Sequence, residues 1–273
     1  MLSICNGIFE GSNERKSVYD LELPSNFNGK IILFVHGYKG FKDWGAWNVL
    51  QQTYLSKGFG FCKFNMSHNG GTVSNPIDFP DLEAFANNRY SYEVYDCNQV
   101  IDLVHFKVPQ AKIILLGHSR GGGISLLCAS NSYVTGVITL AAISSIEYRF
   151  RHTEIMEKWK KEGVRYELNT RTKQNMPLFY SQYTDFLSHK DELNIEQACR
   201  TNTKPMLHFH GNQDDAILIE EGEAIASWTN NPLIRLENCN HTFETTHPWN
   251  KQALSNPLSD VVQKSLDFLA QIN

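Results

Sequence analysis

The chain has 273 residues, a length that allows one large domain or two small ones. Hydrophobic residues make up 41% of the chain and charged residues 20%. This composition is that of an ordinary globular protein and excludes a chain that is disordered along its whole length. The formal net charge of -4 provides no general attraction to nucleic acid or to an anionic membrane surface.

The sequence carries no evident targeting or membrane segment. No stretch approaches about 18 consecutive apolar residues, and the N-terminal sequence MLSICNGIFEGSNERK lacks a basic region followed by an apolar run. The six cysteines show no CxxC spacing, so we expect reduced core residues and no disulfide framework. These features predict a cytoplasmic protein with no membrane span and no nucleic-acid partner, and they do not specify an oligomeric state.

Short apolar runs alternate along the chain with longer segments of helical periodicity. In chain order they predict a strand over 31–35, a helix over 44–57, strands over 59–64 and 112–116 separated by a helix over 92–106, a helix over 124–129, strands over 135–140 and 205–209, a helix over 220–229, a strand over 232–237 and a helix over 261–272. This alternation predicts one α/β domain over 1–273, with helices on both faces of a mostly parallel sheet.

The stretch 144–203 interrupts the alternation and is too long for a plain connector. We predict a helical insertion, or cap, over the functional edge of the sheet; the alternative is a crossover helix with an extended loop. Its closely spaced aromatic residues are Phe179, Tyr180, Tyr183 and Phe186. They predict an apolar wall for an aromatic or medium-chain acyl group, or alternatively rings that only pack the insertion onto the sheet.

A G-x-S-x-G motif, Gly117 to Gly121, directly follows the predicted strand 112–116 and precedes a helical segment. Between a strand and a helix, such a turn lifts the serine hydroxyl above the sheet at a helix N-terminus, where free amides favour negative charge. Ser119 is therefore the candidate nucleophile.

A serine nucleophile needs a base, and the base needs an orienting carboxylate. The loop after strand 205–209 offers the adjacent carboxylates Asp214 and Asp215, and His241 is the first histidine after strand 232–237. We predict a triad of Ser119, Asp214 and His241, with Asp215 as the alternative acid. For the oxyanion we predict two amide donors: Arg120, which follows the nucleophile, and Tyr38, in the turn after strand 31–35.

The motifs HGYKGFKDW, GHSRGG, HGNQDDAI and NHTF occur in this order from about Ile31 onwards. In these segments the sequence resembles the α/β-hydrolase superfamily, and within it the serine-esterase and dienelactone-hydrolase-like branch, including bacterial cinnamoyl and feruloyl esterases. The resemblance implies the α/β-hydrolase fold. In that family the acid is usually three residues after the glycine of the HG turn, which corresponds to Asp214.

The predicted function is hydrolysis of a small-molecule carboxylic ester through an acyl-enzyme, without a metal or cofactor. A peptidase or an acyltransferase would use the same triad, and a non-catalytic protein would use the pocket as a ligand-binding site. His208 and His210 share a face of one strand, but no cysteine or carboxylate cluster nearby completes a metal site, so we interpret them as core histidines.

Overall fold

The computed structural model describes residues 2–272. Over these residues the strands are β1 (Leu2–Glu10), β2 (Lys16–Leu23), β3 (Lys30–Val35), β4 (Gly60–Phe64), β5 (Lys112–His118), β6 (Val134–Leu140), β7 (Val164–Leu168), β8 (Asn175–Phe179), β9 (Met206–Gly211) and β10 (Leu233–Leu236). The α-helices are α1 (Trp47–Ser56), α2 (Leu82–Ala86), α3 (Tyr90–Lys107), α4 (Arg120–Leu127), α5 (Thr153–Glu162), α6 (Ser181–Ser188), α7 (Ile195–Thr201), α8 (Ile219–Thr229) and α9 (Asn256–Gln271). Every strand and helix predicted from the sequence overlaps one of these elements.

Eight strands form one mostly parallel sheet in the order β1-β2-β4-β3-β5-β6-β9-β10. Within this sheet β4, β3, β5, β6, β9 and β10 run parallel to one another. Strands β1 and β2 are antiparallel to each other, and β2 is antiparallel to β4. Parallel strands end at the same edge of a sheet. The turns after β3, β5, β9 and β10 therefore meet at one edge, where the predicted site residues lie.

The sheet is buried on both faces, which explains the continuous apolar runs of its central strands. Along β3, Ile31, Leu33 and Val35 pack in one core layer and Ile32 and Phe34 in the other. Helices α3, α4 and α8 contribute to the first layer, and α1 and α9 to the second.

Strands β1 and β2 were not predicted from the sequence. Most residues of β1 are exposed or half-buried, and the pairing register with β2 shifts between Ile4 and Gly7. An edge strand with a bulge lacks both the continuous apolar run of a central strand and a regular alternation, so its sequence gives a weak strand signal.

Between β6 and β9 the chain forms helices α5, α6 and α7 together with the antiparallel pair β7–β8. The helices agree with the predicted helical character of this stretch, whereas the β7–β8 pair was not predicted. Over residues 2–272, no helix combines the length and the apolar composition that crossing a bilayer requires.

Phe34 provides a test of the core, because it is fully buried and its ring lies 4.8 Å from that of Trp47. We expect Phe34→Ala to lower the free energy of unfolding by about 3–5 kcal/mol through the cavity that it leaves. The matched control, Phe106→Ala, removes a ring that is 83% exposed and should change it by less than about 0.5 kcal/mol. Urea denaturation measures both, and equal losses would contradict the packing described here.

Candidate active site

Ser119 occupies a strained turn between β5 and α4, with φ 55° and ψ -120°. The backbone of the turn packs so closely against its neighbours that there is no room for a side chain at Gly117 or at Gly121. A Cβ at Gly121 would collide with the carbonyl groups of Val35 and His36, and one at Gly117 would collide with the backbone of Gly121. The two glycines of the motif are therefore required by steric contact.

The structure brings Ser119, His241 and Asp214 together from three separate loops. The Nδ1 atom of His241 lies 2.8 Å from Oδ2 of Asp214, and Nε2 of His241 lies 3.0 Å from the Ser119 hydroxyl oxygen. Since an ionised carboxylate only accepts hydrogen bonds, Nδ1–H donates to Asp214. Nε2 is then free to accept the Ser119 proton.

The loop after β9 separates the two adjacent carboxylates. Asp214 is 7% exposed, and its second oxygen, Oδ1, accepts hydrogen bonds from the amides of Ala216 (2.9 Å) and Ile217 (2.8 Å). Asp215 is exposed. Asp214 is therefore the carboxylate that faces His241, and its orientation is fixed by its own loop.

Asp214 remains ionised at neutral pH. Burial alone would raise the pKa of this carboxyl group, but hydrogen bonding with His210 and His241 lowers the pKa well below its ordinary value. A charged Asp214 stabilises the positive charge that His241 acquires when it takes up a proton.

His210 supports Asp214 from within the sheet. Its Nε2–H donates to the carbonyl oxygen of Ile217 at 2.8 Å and lies 3.4 Å from Oδ2 of Asp214. His210 and His208 were expected from the sequence to be core histidines, and both are buried. His208 lies within hydrogen-bond distance of the hydroxyl groups of Thr139 and Thr229, at 2.8 and 3.0 Å. Over residues 2–272, no group of three or more His, Cys, Asp or Glu side chains is placed to hold a metal ion.

His118, inside the motif, holds the His241 loop and was missed by the sequence analysis. Burial lowers its pKa to about 3, so the ring is neutral, and its Nε2–H donates to the carbonyl oxygen of His241 at 2.9 Å. The His118 ring packs 4.9 Å from the His241 ring and 5.4 Å from Trp47. Its position beside the serine was the only signal of this contact in the sequence.

The turn after β3 lies directly against Ser119. A Cβ built at Gly37 would come within 3.0 Å of the Ser119 Cβ, so this turn passes beside the hydroxyl. Neither the Tyr38 amide nor the Arg120 amide donates to a protein acceptor in the described part of the chain. Both of the predicted donors are thus left with a free N–H group beside the nucleophile.

The side chains of Tyr38 and Arg120 hold each other in place. The Arg120 guanidinium lies 4.2 Å from the centre of the Tyr38 ring and 4.5 Å from that of Tyr90, and it forms an ion pair with Glu93 at 3.3 Å. The Tyr38 hydroxyl donates to Glu167 of β7 at 3.0 Å. The segment between β6 and β9 therefore contacts the turn that carries one of the predicted oxyanion donors.

Two cavities meet at Ser119, Tyr38 and His241. The first has a volume of about 220 Å³ and is named here the tryptophan cavity; its walls include Lys39, Trp44, Trp47, Asn169 and Arg171. The second has a volume of about 320 Å³ and is named the arginine cavity; its walls include Tyr90, Arg120, Ile143, Arg149 and Ile217.

Of the two alternatives for the aromatic residues of 144–203, the wall of an acyl pocket is wrong. Phe186 belongs to the core layer packed on the sheet, and Tyr180 and Tyr183 pack against that layer, as the second alternative predicts. None of Phe179, Tyr180, Tyr183 and Phe186 lines either cavity in the described chain. Tyr183 and Phe186 pack against Phe150, and Tyr180 packs against Trp159, so these rings secure the segment internally. The side chains that the segment does place at the cavities are polar: Arg149, Asn169 and Arg171.

Comparison with known proteins identifies the fold. Residues 30–162 match a family model described as alpha/beta hydrolase fold. Est1E from Butyrivibrio proteoclasticus, solved with ferulic acid bound, superposes with a TM-score of 0.68 at 19% identity, covering 100% of this chain and 99% of that chain. The chain has the α/β-hydrolase fold.

Other solved structures share this α/β-hydrolase fold over nearly their whole length. The esterase domain of a Rhodothermus marinus protein has a TM-score of 0.64 at 17% identity, covering 98% of both chains. An alpha-beta serine hydrolase homologue from Coxiella burnetii has a TM-score of 0.64 at 14% identity, covering 98% of this chain and 99% of that chain. A search of curated protein sequences gives no match.

The buried histidines predict how stability depends on pH. Burial lowers the pKa of His36, His68 and His208 to about 4 and that of His118 to about 3. The unfolded chain takes up protons on these rings near their ordinary pKa of 6.5, whereas the folded chain does so only near pH 3–4. Below pH 6.5 the unfolded state therefore binds more protons, and we expect the free energy of unfolding to fall between about pH 6.5 and pH 4.

Urea denaturation across this pH range measures the slope. His208→Gln removes one of these four rings and should flatten the slope, while His152→Gln replaces an exposed histidine and should leave it unchanged. A slope that is the same in all three proteins would show that His208 does not titrate in this way.

Proposed function

We propose that this protein is a serine hydrolase that cleaves carboxylic esters through an acyl-enzyme intermediate. The observation that carries the proposal is the continuous hydrogen-bonded chain from Asp214 through His241 to Ser119, with distances of 2.8 and 3.0 Å. The serine end of this chain lies in a strained turn at the N-terminus of α4. Nucleophile, base and orienting acid are the three parts that serine acyl transfer requires.

In the first half of the proposed reaction, Ser119 Oγ attacks the ester carbonyl carbon while His241 Nε2 takes its proton. The oxygen of the tetrahedral intermediate carries the negative charge, and the amides of Tyr38 and Arg120 donate to it. The bond to the alcohol then breaks, and the alcohol leaves with the proton from His241. The acyl group remains bound to Ser119.

In the second half, water attacks the acyl-serine and His241 again takes the proton. Collapse of the second tetrahedral intermediate breaks the bond to Ser119 Oγ, which recovers its proton from His241. The carboxylic acid is released and the resting enzyme is restored. No step requires a metal or cofactor, because the free amides and the imidazole supply the charge stabilisation and the proton transfer.

The similarity of the fold to esterases, Est1E among them, supports an ester as the substrate. The two cavities favour a small molecule as the substrate, since both have Ser119 in their walls and their volumes are about 220 and 320 Å³. A peptidase or an acyltransferase would share the same triad, so matched amides and acceptor alcohols belong in the substrate panel. A non-catalytic binding protein would show no turnover.

Ser119→Ala tests the nucleophile. It removes only the hydroxyl oxygen, so we expect a folded protein whose kcat on p-nitrophenyl esters falls by a factor on the order of 10⁶. A fluorophosphonate probe should label the wild type and fail to label the variant. Ser130→Ala, which replaces an exposed serine just beyond α4, serves as the control and should behave as wild type. More than a few per cent of the activity remaining in Ser119→Ala would refute the assignment.

Asp214 and Asp215 form a matched pair for testing the acid. Asp214→Asn replaces the acceptor of the His241 Nδ1 proton, so we expect kcat to fall by about 10⁴. Asp215→Asn changes an exposed side chain and should have little effect. Steady-state kinetics with one p-nitrophenyl ester gives both values, and the reverse ranking would reassign the acid.

A further inference from the structure

The walls of the two cavities beside Ser119 carry positive charge and no negative charge. Lys39 and Arg171 line the tryptophan cavity, and Arg120 and Arg149 line the arginine cavity. Within residues 2–272, no Asp or Glu side chain lines either cavity, although the chain as a whole has a net charge of -4. The positive charge is therefore concentrated where a substrate would lie.

Each of these cations has a carboxylate partner, which holds it in place from outside the cavity walls. The pairs are Lys39 with Glu167, Arg171 with Asp78, Arg120 with Glu93, and Arg149 with Glu221. Because the carboxylates are not part of the walls, a ligand in either cavity would contact the cations and not the carboxylates.

Arg120 has N–H groups that donate to no protein acceptor in the described chain. Its residue is 9% exposed, and the only hydrogen bond that its guanidinium makes to the described chain is the 3.3 Å contact with Glu93. A guanidinium carries five N–H donors, so most of the donors of Arg120 have no acceptor on the described chain. The rings of Tyr38 and Tyr90 hold the guanidinium in place, and Arg120 lines the arginine cavity, so a ligand in this cavity lies beside its remaining donors.

Arg149 is the second incompletely paired guanidinium of this cavity. It forms an ion pair with Oε1 of Glu221, whose other oxygen accepts hydrogen bonds from the amide and the hydroxyl of Ser144. Its Nε atom is buried and has no hydrogen-bond partner in the described chain. Tyr90 also lines the cavity.

We propose that the arginine cavity binds a carboxylate of the substrate, so that the preferred substrate is an ester that carries a second, ionised carboxyl group. A carboxylate accepts hydrogen bonds from guanidinium groups, and the opposite charges strengthen these hydrogen bonds; Arg120 and Arg149 both line this cavity. This inference rests on the proposed function, since it names the substrate class of the same site.

The substrate test compares esters that carry either an ionised carboxyl group or its methyl ester at the end remote from the cleaved bond. On the acid side, mono-p-nitrophenyl adipate is compared with its methyl ester; on the alcohol side, p-butyryloxybenzoate is compared with its methyl ester. We expect kcat/KM for the charged ester of at least one pair to exceed that of the neutral ester about tenfold or more, as charge-assisted hydrogen bonds allow. The pair that shows the preference identifies the end of the substrate that enters the arginine cavity.

The residue test uses two arginines that each pair with a glutamate of α8. Arg149→Gln should reduce the charged-to-neutral ratio of kcat/KM about tenfold, and Arg149→Lys should retain most of it. The control is Arg235→Gln, which removes an equal charge from the exposed pair with Glu223 and should leave the ratio unchanged. Thermal unfolding of each variant establishes that it is folded, and in the wild type added salt should weaken the preference.

The outcomes separate this inference from the proposed function. Labelling of Ser119 together with equal turnover of charged and neutral esters would overturn the carboxylate site alone. A preference for charged esters that Arg149→Gln does not change would also overturn it. If Ser119 is not labelled and no ester is cleaved, the proposed function fails and this inference fails with it.

Discussion

The close contact between the Ser119 turn and the end of β3 is the constraint on which the site depends. Gly121, in the first turn of helix α4, lies against the carbonyl groups of Val35 and His36, so no side chain fits at this position. This contact holds Ser119 at φ 55°, a conformation that costs free energy and persists only because β5 and α4 fix it on both sides. It also sets the turn after β3 beside Ser119.

Burial and hydrogen bonding together decide the charge of the groups around Ser119. His118 and His36 are neutral at physiological pH because burial lowers the pKa of each ring, and Asp214 is charged because its hydrogen bonds outweigh the effect of burial. The environment therefore places one fixed negative charge behind His241. The neutral His118 serves as a structural hydrogen-bond donor to the same loop.

The segment between β6 and β9 affects the site through charge. Its aromatic rings pack among themselves, whereas Glu167 binds Tyr38 and Lys39, and Arg171 pairs with Asp78 in the loop after β4. Arg149 enters the arginine cavity from the same segment. The fixed scaffold of the sheet thus supplies the proposed chemistry, and this segment supplies much of the polar surface that a substrate would contact.

The sequence alone determined the central sheet and the residues that meet at its edge. Continuous apolar runs such as 31–35 identify strands buried on both faces, and the turn residues that follow them, Ser119, Asp214 and His241, lie together because parallel strands end at one edge. The exposed strand β1, the hydrogen bonds of His118 and His210 and the ion pairs around the cavities were decided only by the tertiary structure. Hydrophobic periodicity records which residues are buried along a strand or helix. It does not record which charged and polar groups from distant segments become neighbours, because those contacts depend on how the elements pack.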